Sequence, residues 1–133
     1  MTDIRKLATL LDNPEARELI FGLGGSEGIR AVVLDLAVTT TSEQYRSWLD
    51  DEERNQPMTV EQVRLTVGDD TLDSIAVFAG GSTDAVAWQL SEVLPDLVDA
   101  MTPGGTVIDV ELLKREIDEA TAEDDREAGL FAN

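Results

Sequence analysis

Apolar residues along this chain recur every three or four positions, in runs that Gly, Pro, Asn or Thr cut short. That rhythm admits short amphipathic helices and leaves little room for strands. Ile4, Leu7, Ala8 and Leu11 mark a first helix. Asn13 offers a cap and Pro14 suits the first helical position, so a second helix is predicted from Pro14 to about Phe21. A corner of Gly22, Gly24, Gly25 and Gly28 follows, then a helix carrying Ile29, Val32, Val33 and Leu36. Ser42 is predicted to cap a helix with Tyr45, Trp48 and Leu49. Thr59 with Gln62 has the form of a capping box for Val60, Val63 and Val67, and Gly68 ends that helix. Leu72, Ile75, Ala76 and Ala79 make another, stopped by Gly80 and Gly81.

Ser82 then caps the longest signal, a stripe of Val86, Leu90, Val93, Leu94, Leu97, Val98 and Met101, which Pro95 is expected to kink or divide. A last helix uses Val110, Leu113, Ile117 and Ala120. The predicted class is all-α: a compact multihelical bundle of about seven to eight short helices, one domain over residues 1–120, with an acidic, frayed tail over 121–133.

Charge and missing residue types narrow the chemistry. Ten Lys and Arg stand against 28 Asp and Glu, a formal charge of −18, while 42% of the residues are apolar, enough for a core. There is no Cys, which excludes disulfides and thiolate metal sites, and no His, which removes the commonest general base and metal ligand. The longest apolar run, Ile75 to Ala79, is far short of the ~20 residues of a membrane span, and no secretory h-region follows Asp3, Arg5 and Lys6. A cytoplasmic location is expected, with no cofactor and no membrane partner.

The motifs that carry chemistry elsewhere are incomplete here. A nucleophilic triad lacks its base, and a Ser–Lys pair has only Lys6 and Lys114 to draw on. The acidic turn Asp50, Asp51, Glu52 and Glu53 offers oxygen ligands, without the alternating spacing of a calcium loop. Asp69, Asp70 and Asp73 share that defect. In the glycine corner Glu27 stands where a dinucleotide fingerprint needs its third Gly. Ala76, Gly80 and Val86 have the internal spacing of a helix-turn-helix across Leu72–Leu90. Yet between Leu65 and Leu113 the chain has no Lys or Arg beyond its flanking residues Arg64 and Lys114, against nine acids, so charge disfavours nucleic acid. Trp48 and Trp88 read most simply as core anchors.

Ser47-Trp48-Leu49, Asn55-Gln56-Pro57, Glu61-Gln62-Val63 and Gly68 together resemble the signature of the YidB-like bacterial family. The likeness continues through Ile75-Ala76, Gly80-Gly81, Leu94-Pro95, Leu97-Val98-Asp99, Thr102-Pro103 and Gly105, over about residues 45–107. It implies a compact multihelical fold and brings no catalytic residues with it. Its residues Trp48, Asn55, Gln56, Pro57, Gly68, Gly80, Leu94, Pro95, Thr102 and Pro103 all suit architectural work. Trp48 is expected beneath the Asn55–Pro57 loop, Asn55 capping loop backbone, and Thr102-Pro103 stopping the long helix.

The expected function is therefore a non-enzymatic interaction or assembly module, binding an unidentified protein partner or a second copy. The alternatives are a DNA-associated regulator using Leu72–Leu90, or a weak divalent-cation or small-ligand site near Trp48.

Overall fold

Capping residues set most of the helix boundaries in the computed structural model, which describes residues 5–50, 54–79, 81–102, 107–109 and 111–119. Eight helices and no strands are present among the described residues. They are α1 (Arg5–Asp12), α2 (Pro14–Gly22), α3 (Ser26–Thr39), α4 (Ser42–Leu49), α5 (Val60–Val67), α6 (Asp69–Ala79), α7 (Thr83–Met101) and α8, helical over residues 111–119. Asn13 caps α2 by accepting from the Glu15 and Ala16 amides, with Pro14 in the first turn. Ser82 caps α7 through the Ala85 amide. Gly68, at φ +89°, closes α5 in a conformation a side chain would strain.

One cap sits a residue earlier than predicted. Thr41, not Ser42, receives the Gln44 amide, because Gln44 is the third residue in and its side chain reaches back only to the Thr41 N–H. Of the two outcomes expected at Pro95, division of the helix does not occur. α7 runs through it unbroken for 19 residues, roughly 28 Å, and the ring is buried. Its missing N–H costs one hydrogen bond, and the packed surroundings hold the helix together across the gap.

That helix is the axis of the bundle. It packs against each of α1 to α6, and Leu90, Leu94, Leu97, Val98 and Met101 on it are fully buried. Leu7 and Leu11 from α1, Ile20 from α2, Ile29, Val33 and Leu36 from α3, Trp48 from α4, Val63 from α5 and Leu72 and Ile75 from α6 complete one core. Burying each such side chain is worth about 1.5–3 kcal/mol. The crossing of α2 and α6 is unusually close. A Cβ added at Gly22 would lie 2.6 Å from Cγ1 of Ile75.

The corner between α6 and α7 has the packing its spacing predicts: Ala76 and Val86 are buried, and the Gly81 amide donates to the Ala76 carbonyl at 3.2 Å. Gly80 lies outside the described residues, as do Asp51, Glu52, Glu53, Pro103, Gly105, Val110, Ala120 and the tail over 121–133. After α7 the chain turns back. Thr102 donates its hydroxyl to the Val98 carbonyl at 2.7 Å, the Ile108 amide bonds the Met101 carbonyl at 2.8 Å, and Arg30 donates to the Ile108 carbonyl. Leu113 then seats α8 on the core. Beside it Glu116 is buried, and that desolvation, with Glu119 adding repulsion against the opposing pull of Arg115, raises its pKa above the ordinary 4.5. No described helix is long and apolar enough to cross a membrane.

Two measurements follow from this packing. Gly22→Ala must push Ile75 aside and is expected to lower unfolding free energy by about 1–3 kcal/mol in denaturant titration. Gly81→Ala, where a Cβ meets nothing within 4 Å, is expected to stay within about 0.5 kcal/mol. The raised pKa means folded Glu116 holds its proton where the unfolded chain releases it, so its stabilisation is full below pH 4.5 and is lost as pH rises through the folded value. Glu116→Gln is therefore expected to raise the thermal midpoint at pH 7, with the difference closing below about pH 4.

Candidate functional site

The helix-poor segment between α4 and α5 is held by side chains that also cap those helices. Gln44 and Gln62 each close a capping box, accepting from the Thr41 and Thr59 amides at 2.9 and 3.0 Å. The same two amides also face each other. Gln44 Nε2 donates to Gln62 Oε1 at 3.0 Å, and Gln62 Nε2 donates to Gln44 Oε1 at 2.8 Å. The second Gln44 proton goes to the Pro57 carbonyl at 2.9 Å.

Ser47 and Trp48 complete the clamp. The Ser47 hydroxyl accepts from the Gln56 amide at 3.0 Å and donates to the Gln44 carbonyl at 2.6 Å. Trp48 is fully buried beneath the loop, donates its indole N–H to the Gln56 carbonyl at 2.8 Å, and meets Tyr45 edge to face with ring centres 6.1 Å apart. Burial also pushes the Tyr45 phenol above its ordinary pKa, keeping its hydroxyl protonated to donate to the Val33 carbonyl. Gln56 thus has both backbone groups taken, while its side chain is exposed and has no hydrogen-bond partner among the described residues.

Asn55 does not cap the loop backbone as the sequence suggests. Its amide crosses to α7 and donates to Asp96 Oδ1 at 3.3 Å and to Asp99 Oδ2 at 3.5 Å. Two carboxylates demand that the nitrogen face them, which turns Oδ1 inward, buried and without a hydrogen bond.

Between this loop and α7 lies a groove of about 560 Å³. Asn55, Gln56, Pro57 and Met58 form one wall. Trp88, Ser91, Glu92, Pro95 and Asp96 form the other, along one face of α7. Trp88 corrects an expectation: it is 57% exposed and anchors no core. The reason is helical phase. Val86, Leu90, Leu94 and Leu97 turn inward, and position 88 falls on the opposite side. The stripe itself carried that signal.

The structure thus brings Asn55, Gln56, Pro57 and Pro95 to one groove above Trp48. Leu94 and Thr102 sit in the core, and Gly68 ends α5 away from the groove wall. Gly80 and Pro103 lie outside the described residues. A second hollow, about 610 Å³, opens between α2 and α6 where Phe21, Ile75 and the exposed Phe78 meet. Among the described residues no three His, Cys, Asp or Glu side chains are placed to hold a metal ion. The Asp84 carboxylate, on the first turn of α7, pairs with Arg64.

Chemically, the first groove presents an exposed indole, the unengaged Gln56 side-chain amide and the carboxylates of Glu92 and Asp96, the latter accepting from Asn55. The only hydroxyl lining it, Ser91, donates to the Trp88 carbonyl at 2.5 Å.

A family model described as YidB-like protein matches residues 18–109, reaching further toward the N-terminus than the resemblance over 45–107 and taking in Gly28 and Ile29. No curated protein and no solved structure matches the chain.

The clamp makes its own prediction. Ser47→Ala strips the acceptor from the Gln56 amide and is expected to cost about 1–2 kcal/mol. Amide hydrogen exchange should show residue 56 losing protection while α1 keeps its own.

Proposed function

The chain belongs to the YidB-like family, and we propose that it is a non-enzymatic protein-interaction module that receives its partner in the groove between the 54–58 loop and α7. The single observation behind this reading is the pair of tryptophans. Trp48 is spent on locking the loop, whereas Trp88 stands 57% exposed on the facing helix. A half-exposed indole beside a fixed loop is the composition of an interface anchor. Covering the ring's exposed area, on the order of 100 Å², is worth about 2–3 kcal/mol.

Pre-setting supports the same reading. Binding costs include ordering of loops, and here three loop carbonyl and amide groups are already held by Gln44, Ser47 and Trp48. The reading sets the protein in the cytoplasm, in keeping with a Cys-free chain. It involves no catalysis: the hydroxyl of Ser91 is engaged by the Trp88 carbonyl, and the chain has no His or Cys.

A photo-crosslinking amino acid placed at position 88 in the full chain tests this in living cells. Discrete protein adducts are expected from position 88 and none from the exposed position 69 on α6. Identical diffuse labelling from both positions, or no adduct from position 88, overturns the reading.

A further inference from the structure

We propose that the occupant of this groove is a Lys- or Arg-bearing segment of a basic protein, its cation held between the Trp88 ring and the carboxylates of Glu92 and Asp96. The inference rests on the groove being the partner site and adds the chemistry of what enters it.

The argument begins with how α7 disposes of its outer acids. Asp84, near its start, is paired with Arg64, and Asp99, near its end, is paired with Lys6 at 3.0 Å. Glu92 and Asp96 lie between these pairs and meet no Lys or Arg among the described residues. They follow Trp88 at intervals of four residues, so ring and carboxylates stand in successive turns, roughly 6 Å apart along one wall. A cation lying over the indole face is within reach of the nearer carboxylate, and the two attractions act on the same charge.

No Lys or Arg among the described residues fills this place. From Thr66 to Leu113 there is neither Lys nor Arg. Arg54, next to Asn55, is exposed and forms no ion pair with Glu92 or Asp96. A second copy is a poor occupant, because it brings a further charge of −18 to an acidic wall. Nucleic acid is repelled for the same reason. The opposite wall suits a polypeptide. The exposed Gln56 side-chain amide has no partner among the described residues, so an extended chain's peptide groups find a donor and an acceptor there.

The test uses the full-length chain, ¹⁵N-labelled, titrated with a ten-residue peptide of alternating Arg and Leu and with its citrulline counterpart, alike in shape and uncharged. At about 50 mM salt the Arg peptide is expected to shift the Trp88 indole and Gln56 side-chain amide signals. Binding should weaken at about 300 mM salt, and the citrulline peptide should bind at least tenfold more weakly. Trp88→Ala, a surface change checked by circular dichroism, is expected to weaken the Arg peptide about fivefold. Glu92→Gln should also weaken it, whereas Asp70→Asn on exposed α6 should not. Equal binding of the citrulline peptide at Trp88 overturns the cationic class and leaves the groove standing as a partner site. Shifts spread over the acidic surface, with Trp88 and Gln56 unmoved and Trp88→Ala without effect, overturn the proposal as non-specific charge attraction. Absence of any shift with either peptide overturns it too, and position-88 crosslinking then decides separately whether the groove binds a protein.

Discussion

The reciprocal amide pair of Gln44 and Gln62 is the constraint on which the candidate site depends. Each side chain closes the cap of its own helix and bonds the other's amide, and Gln44 also donates to the Pro57 carbonyl. Both N–H groups and both lone pairs of the buried Gln44 amide are thus met without a charge. The pair therefore fixes the entry of α4 relative to the entry of α5 and, through the Pro57 carbonyl, holds the end of the 54–58 segment. Ser47 and Trp48 take up what remains, at Gln56. A loop with almost no secondary structure becomes a rigid wall because polar groups, not apolar packing alone, hold it.

α7 supplies the second wall for a different reason. It touches six other helices, and its inward stripe consumes nearly all its large apolar residues. Its exposed face carries Asp84, Ala85, Gln89, Glu92 and Asp96 beside Trp88. An indole left 57% exposed there contributes to folding with only part of its surface. The hollow between α2 and α6, lined by Phe21 and Phe78 with Arg17 and Glu18, lies between two helices and has no fixed loop as a wall.

Much of the architecture was legible in the sequence because caps and stops are written locally. Thr59 with Gln62, Asn13-Pro14, Gly68 and Ser82 act within one helical turn of themselves, and each does the work its spacing suggests. Pro95 was harder. Whether an interior proline breaks a helix is decided by the packing on either side, which no local pattern reveals. The candidate site was half legible. The Asn55-Gln56-Pro57 segment stands out by composition, and Trp48 beneath it follows from the same signature. The amide pair is not legible there, because Ser42 reads as the cap of α4 and only the fold sets Thr41 and Gln44 beside Thr59 and Gln62. Asn55 reads as a cap for its own loop because its partners, Asp96 and Asp99, lie more than forty residues away in sequence.

Asp99 joins two things that the sequence keeps far apart. One of its oxygens holds Lys6 of α1, and the other faces Asn55 of the groove wall. The first turn of α1 and the groove's polar rim therefore share a single carboxylate, and a substitution at Lys6 alters the charge that Asn55 faces.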